Sequence, residues 1–326
     1  VIARLAEALA EAGRVLVLAH RDPDGDALGS ALGLMHLLKA QGKQVFGHRS
    51  GSVPEEYAFL PGLELASPGL PVAGDIDLAV LLDCHEPARA GQMAEPLLKA
   101  LPRVAVIDHH LGQADFGDPR WVDPAKAATA QMVTLLAQQA GWTLGQEAAT
   151  CLFVGLQTDT GRFCYSNTTP QTLNVAADLV AAGAEPWGIT QQVYSTSLGR
   201  LRLFGRVLQS LQLLAGGRLA LAQAQASDLK DLGCPPSDLD RIVEELRAIR
   251  GVEVAVLLKE IDQNSVKASL RSRGLVDVGA LALGLGGGGH HNAAGAKIDG
   301  SLEQAAALLG GLVEARLAAP AAKAQA

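Results

Sequence analysis

Carboxylates and imidazoles crowd a few short stretches of this sequence in patterns that suit cation binding. The segment HRDPDGDALGS sets His20, Asp22, Asp24 and Asp26 in quick succession, with Pro23 and Gly25 to turn the chain and Asp26 to open a helix. Alternate acidic residues on a turn can aim at one point. The plainer reading is an Asp-rich helix cap, in which Asp24 or Asp26 accepts backbone N–H groups. DLAVLLDCH carries Asp83, whose two oxygens suit the bridging of two hard or borderline cations. Its neighbours Cys84 and His85 are not read as zinc ligands, because successive side chains on a strand and turn diverge.

VIDHH brings Asp108, His109 and His110. Adjacent imidazoles need not share an ion: one can ligate while the other faces substrate, and the Asp before them can orient a ring from outside the coordination sphere. Asp159 lies in TDTGRFCYSNTT, where Gly161 permits a tight turn; alone it reads equally as a turn Asp. His36, within a helical pattern, and His48, at a strand end, are left out of the site. His20, Asp24, Asp26, Asp83, His109 and Asp159 are too many for one ion and suit two that share a carboxylate. Such a pair, about 3.5–4 Å apart, binds phosphate, acidifies a water and stabilises the leaving oxygen of an in-line displacement. Imidazole and carboxylate without thiolate suit Mn2+ best, with Mg2+, Co2+ and Zn2+ as alternatives.

The elements that must position these residues follow from the hydropathy pattern. VLVLAH, a helix near Asp26 to Ala40, KQVFGH, DLAVLLD and RVAVID alternate in the manner of strands and helices of a parallel sheet. The runs are nearly continuous in apolar residues, as strands buried on both faces must be. Three of them end in His20, Asp83 and Asp108-His109-His110. In a parallel sheet those endings share one edge, where ligands bind.

The expected fold is α/β: a larger N-terminal domain with a parallel sheet flanked by helices (1–190), a helical connector (191–215), a smaller C-terminal α/β domain (216–320) and a frayed tail (321–326). In the smaller domain, Arg271 in LRSRG precedes the run GGGGHHNAAG. Gly287, Gly288, Gly289 and His290 there could cradle a phosphate with backbone N–H groups, a flexible loop without ligand being the plainer reading. A nicotinamide site is not expected, since the run precedes a strand and lacks an acidic partner.

Composition narrows the function further. Apolar residues are 48% of the 326 and charged residues 19%, which excludes a disordered chain. Aromatics at 4% exclude a base-stacking platform running along the surface, so a nucleic-acid substrate is expected to be short. A net charge of −7 provides no global field for long nucleic acid or an acidic membrane. Cys84, Cys151, Cys164 and Cys234 are widely spaced, without a CxxC pair, which points to reduced thiols in a cytoplasm. No apolar run reaches the roughly 18 residues of a membrane span, and the opening segment carries Arg4, Glu7 and Glu11 where a signal peptide would be smoothly apolar.

The motifs HRDPDGDALGS, DLAVLLDCH, VIDHH and TDTGRF, in this order, resemble those of the DHH phosphoesterase superfamily, and LRSRG with GGGGHHNAAG resembles its associated C-terminal substrate domain. The resemblance covers nearly the whole chain and is greatest to the bacterial oligoribonuclease and 3′-phosphoadenosine-5′-phosphate (pAp) phosphatase group. It implies one metal on His20, Asp24 and Asp83 and another on Asp26, Asp83, His109 and Asp159. His110 would contact the substrate phosphate, with Asp108 beside it in the catalytic machinery. Arg271, Gly287 to Gly289 and His290 would grip a two- to five-nucleotide RNA, or pAp as a truncated substrate, across an interdomain cleft. A homodimer is compatible with this reading, which leaves the oligomeric state open. The rivals are a linear or cyclic dinucleotide phosphodiesterase, an inorganic pyrophosphatase and an inactive nucleotide-binding regulator.

Overall fold

Five-residue runs of valine, leucine, isoleucine and alanine make strands that bury both faces, and the N-terminal half builds its sheet from them. The computed structural model describes residues 1–112, 115–239 and 242–318, so the tail expected at 321–326 lies outside the described residues. The chain divides into two units, Val1–Ser195 and Thr196–Ala326. The first holds β1 (Arg14–Leu18), β2 (Gln44–His48), β3 (Ala66–Ser67), β4 (Leu78–Leu82), β5 (Val104–Asp108) and β6 (Arg120–Val122). They form one wholly parallel sheet of order β3-β2-β1-β4-β5-β6. The short edge strands β3 and β6 have too few residues to show an alternation and were not expected from the sequence.

Its helices are α1 (Ile2–Glu11), α2 (Gly25–Ala40), α3 (Ala94–Ala100), α4 (Thr129–Gln139), α5 (Gln146–Asp159), α6 (Pro170–Ala181) and α7 (Pro186–Tyr194). Side-chain alternation divides them between the faces. Val15 and Val17 join a core with residues of α1, α2, α4 and α5. Leu16 and Leu18 join another with Ala94 and Leu98 of α3. α2 is buried over most of its length, which accounts for its continuous apolar run.

The second unit contains α8 (Leu198–Gln209), β7 (Gln212–Leu214), β8 (Leu219–Ala224), α9 (Ala226–Leu232), α10 (Ile242–Ala248), β9 (Val254–Asp262), β10 (Ser265–Ser272), α11 (Val278–Leu283), β11 (Gly288–His290), β12 (Ala293–Asp299) and α12 (Leu302–Ala318). Its sheet, β11-β12-β10-β9-β8-β7, is antiparallel except for the β8–β9 pair. Residues 191–215, read from the sequence as a connector, are shared out between elements: α7 ends in the first unit, while Leu203 and Val207 of α8 enter a core of the second with Ala220, Ala222 and Leu257. The helical reading also runs too far, since Gln212–Leu214 pairs with β8 as a strand.

The glycine run is only partly a loop: Gly286 and Gly287 follow α11 in a turn, and a strand begins at Gly288. Gly288–His290 is the terminal strand of the sheet, paired with Ala293–Gly295. A Cβ on Gly287 would lie 2.2 Å from the Gly295 carbonyl oxygen, and one on Gly289 2.5 Å from that of Ala293. Backbone proximity to β12 thus demands glycine at both places, whereas Gly288 has open space around it.

Candidate metal centre

Neighbouring parallel strands put their carboxyl ends side by side, and β1, β4 and β5 are neighbours. His20 follows β1, Asp83 follows β4 and His109 follows β5. Asp24 is the N-cap of α2, its Oδ1 accepting from the N–H groups of Asp26 and Ala27 at 3.1 and 3.0 Å. Asp26, fully buried in the first turn, caps a different helix. Its Oδ2 accepts from Thr129 N at 2.6 Å and its Oδ1 from Ala130 N at 2.9 Å, serving the start of α4, where Ala128 has no side chain able to cap. Both carboxylates therefore fulfil the plain capping role and still belong to the cluster. Asp159 is the last residue of α5, placed by a helix and not by the turn that its sequence suggests.

The side chains converge on Asp83. His20 Nε2 lies 3.4 Å from Asp83 Oδ2 and 3.8 Å from Asp24 Oδ1. His109 Nε2 lies 3.4 Å from the other oxygen, Asp83 Oδ1, 3.1 Å from Asp159 Oδ2 and 3.7 Å from Asp26 Oδ2. The six residues thus fall into two groups that share one carboxylate, with an oxygen toward each. Ligand atoms of His20, Asp24 and Asp83, and again of Asp26, His109 and Asp159, lie within 4.8 Å of one another. Asp83 has φ 57°, a conformation that side chains other than glycine seldom adopt, so the backbone is strained at the shared residue. His20 Nδ1 lies 2.8 Å from the Arg21 carbonyl oxygen, a bond it can make only as the protonated nitrogen, and this points Nε2 into the cluster.

Electrostatics alone leave this cluster in need of positive charge. Burial pushes the Asp26 carboxyl up, and the charges of Asp83 and Asp159 push it further. Asp159 is raised by burial and by Asp83, and it stands at the negative end of the α5 dipole. Burial opposes a charged His20, but bonds to Asp24 and Asp83 overcome it and lift the imidazole to about 10; Asp159 and Asp83 likewise carry His109 to about 11. Burial would raise Asp83 too, yet His109 and His20 hold it below the usual carboxylate range. Four carboxylates with two inward-facing imidazoles suit a pair of divalent cations, which would take over the balancing that protons provide.

Residues 14–156 match the DHH family, N-terminal domain, and residues 216–315 match the DHHA1 domain. The bifunctional oligoribonuclease and PAP phosphatase NrnA of Thermus thermophilus is 39% identical over 295 residues, spanning 90% of this chain and 87% of its own. The chain belongs to the DHH family. The crystal structure of an exopolyphosphatase-related protein from Bacteroides fragilis superposes on this DHH chain with a TM-score of 0.85 at 28% identity, covering 96% of this chain and 95% of its own. The cyclic-di-AMP phosphodiesterase PdeA of Listeria monocytogenes is 26% identical over 88% of this chain and 45% of its own length.

Within the DHH tripeptide the three residues have separate duties. His109 joins the cluster. Asp108 is fully buried and splits its oxygens between two rings, Oδ2 at 2.5 Å from His85 Nδ1 and Oδ1 at 2.8 Å from His110 Nδ1, while also accepting from His110 N at 3.1 Å. Its contacts are with the two rings, which suits it to orient His110. His110 has its side chain 39% exposed, with Nδ1 3.7 Å from Asp83 Oδ1. His85, declined as a zinc ligand, holds Asp108 instead.

The substrate residues expected in the DHHA1 part are placed less simply. Arg271 Nε lies 2.5 Å from Glu244 Oε1 and its Nη1 donates to the Leu270 carbonyl at 3.0 Å, so part of its guanidinium is engaged within its own unit. His290 is exposed on β11, and His291 Nε2 is 3.0 Å from the Gly274 carbonyl oxygen. Two contributions escaped the sequence reading. Thr129 Oγ1 donates to Asp83 Oδ1 at 2.9 Å, although nothing in AATAQM marks it. Gly25, Gly29 and Gly33 form a stripe along α2, where added Cβ atoms would meet Thr158, Cys151 and Leu152 of α5 at 2.4 to 2.6 Å. Their four-residue spacing was a readable signal that another helix comes close.

Proposed function

We propose that this DHH chain is a two-metal phosphoesterase that hydrolyses short oligoribonucleotides to mononucleotides and pAp to AMP. The observation that carries the reading is the division of Asp83, one oxygen toward His20 and the other toward His109, in a chain so similar to the Thermus NrnA. His20, Asp24 and Asp83 would hold one cation, and Asp26, Asp83, His109 and Asp159 the other. Mn2+ is the proposed ion. When bound, such a pair acidifies water and offsets charge gathering on the phosphoryl oxygens.

The chain's own groups do the rest. Water oxygen bonds to phosphorus, the ester P–O bond breaks, and the departing oxygen leaves with a proton. His110, held by Asp108, donates a hydrogen bond to a phosphoryl oxygen. In the second unit, Arg271, His290 and the Gly287 to Gly289 backbone are assigned to substrate recognition, Gly288 being the glycine of these three that packing does not explain. Four unpaired cysteines suit a cytoplasmic setting.

Two measurements test this. Turnover of pAp, RNAs of graded length, linear and cyclic dinucleotides and pyrophosphate should favour RNAs of two to five nucleotides and pAp; a preference for pyrophosphate, or no hydrolysis of any of them, overturns the assignment. A dominant rate on cyclic dinucleotides would favour the second reading, for which the likeness to PdeA is the supporting observation. Asp83→Ala should lower kcat about 1,000-fold or more, since ligands of a shared centre act as a unit. Near-normal turnover in that variant would defeat the ligand scheme.

A further inference from the structure

We propose that Tyr165 is a stacking platform for a single nucleobase of the substrate, built onto the loop that follows Asp159; the proposal rests on the nucleotide phosphoesterase reading above. Tyr165 is 63% exposed in a chain with few aromatic side chains. A ring left in water is usually free to turn, but this one is backed. A Cβ on Gly161 would lie 2.4 Å from Cε1 and Cζ of Tyr165 and 2.6 Å from Cε2. Nearly equal distances to three successive ring carbons arise only from above the ring plane, so Gly161 lies flat against one face. Gly161 also has φ 54°, which makes glycine the fitting residue there on two counts. Among the described residues no other ring stacks on Tyr165.

The loop ties this ring to the metal centre. Tyr165 N donates to the carbonyl of Thr160, the residue after Asp159, at 3.0 Å. Phe163 N donates to Thr160 Oγ1 at 3.1 Å, and the Phe163 ring packs edge-on against Phe153 of α5 at 5.9 Å between centroids. Asn167 Nδ2 donates to the carbonyls of Asp159 at 3.0 Å and Ala127 at 3.1 Å. Thr168 N closes the turn on the Tyr165 carbonyl at 3.1 Å. A preorganised aromatic face on the loop that leaves Asp159 provides one base with a stacking partner whatever its identity, because every base has a π face. One such ring also fits an enzyme for short substrates: it can order a single nucleotide and cannot follow a strand.

The test uses the full chain with Mn2+, a 5′-phosphorylated RNA dinucleotide and the same compound lacking its bases. Tyr165→Ala should raise KM for the intact dinucleotide at least about fivefold, with a smaller change in kcat, as loss of one stacked base implies. The rise for the abasic compound should be clearly smaller. Tyr165→Phe should stay within about twofold of the parent, and Tyr165→Leu, apolar but without a π face, should behave as the alanine variant. Equal KM rises on both compounds, or full rescue by leucine, would overturn the platform while leaving the phosphoesterase reading intact. A parent chain that does not cleave the dinucleotide would remove that reading and the platform with it.

Discussion

Asp26 and Asp159 both stand in the second candidate group of ligands, at opposite poles of the helices they meet. Asp26 accepts from two N–H groups at the positive end of α4, which offsets part of the burial that pushes its carboxyl up. Asp159 ends α5 at the negative pole, close to Asp83, with its carboxyl pushed up by burial and by that charge. Substituting Asn should therefore separate them in metal-free protein. Asp26→Asn should lose about 0.5–2 kcal/mol of stability as a cap is spoiled, while Asp159→Asn should lose less, because it caps no helix and the loss of its bond to His109 is offset by relief of its repulsion with Asp83. Thermal melting in a chelator reads both, and a large drop for Asp159→Asn would contradict the account. Legibility at this scale was high for residue types and low for their partners. That His20, Asp83 and His109 meet was readable from strand ends; that Thr129 touches Asp83 was not, since a hydroxyl in a run of alanines looks the same whether it faces a carboxylate or a helix groove.

The close packing of α2 on α5 brings Asp26 and Asp159 to one place, and glycine is what permits it. A Cβ at Gly29 would stand 2.4 Å from the Cys151 carbonyl oxygen and 2.8 Å from Gly155 N, both backbone atoms that cannot swing aside. Gly29→Ala should destabilise by about 1–3 kcal/mol, as overpacking does, and should weaken cation binding as Asp159 moves away from His109; calorimetric titration with Mn2+ checks the second effect. At the opposite ends of the strands, Asp77 binds Gly13 N at 3.0 Å, Arg14 N at 2.8 Å and Arg14 Nη2 at 2.9 Å, clipping β1 to β4. The Arg14 side chain holds its carboxyl below the ordinary 3.8. A depressed carboxylate lends stability that is present above its unfolded pKa and disappears as pH falls through its folded one. The parent should therefore lose more melting temperature than Asp77→Asn on acidification from about pH 5 to about pH 3; parallel losses would show the clip to be idle. The strands that form these elements were readable because burial on both faces leaves them apolar throughout, whereas the edge strands β3, β6 and β11 are too short or too rich in glycine to carry a pattern.

For the molecule as a whole, cation binding should be worth more than activity. The four carboxylates of the candidate cluster repel one another, which a divalent pair would relieve, so ions that bind the folded chain should raise its melting temperature, by an amount equivalent to about 2.7 kcal/mol at a hundredfold excess over Kd. A chelator should abolish hydrolysis and lower the melting temperature, and Mn2+ should restore both. Hydrolysis indifferent to chelation would remove the basis of the proposed chemistry. Among the described residues no helix is long and apolar enough to cross a membrane.

Sequence alone determined the α/β class, the succession of the main strands along the chain and the identity of the residues that gather at their carboxyl ends, because burial and chain direction leave their mark on local composition. Tertiary structure alone decided that Asp83 divides its oxygens between two groups, that Asp26 caps a helix distant in the chain, that Arg271 is partnered by Glu244 and that Gly161 backs the ring of Tyr165. Each of those is a distance between atoms on separate elements or on opposite sides of a turn, and periodicity along a chain carries no record of such distances.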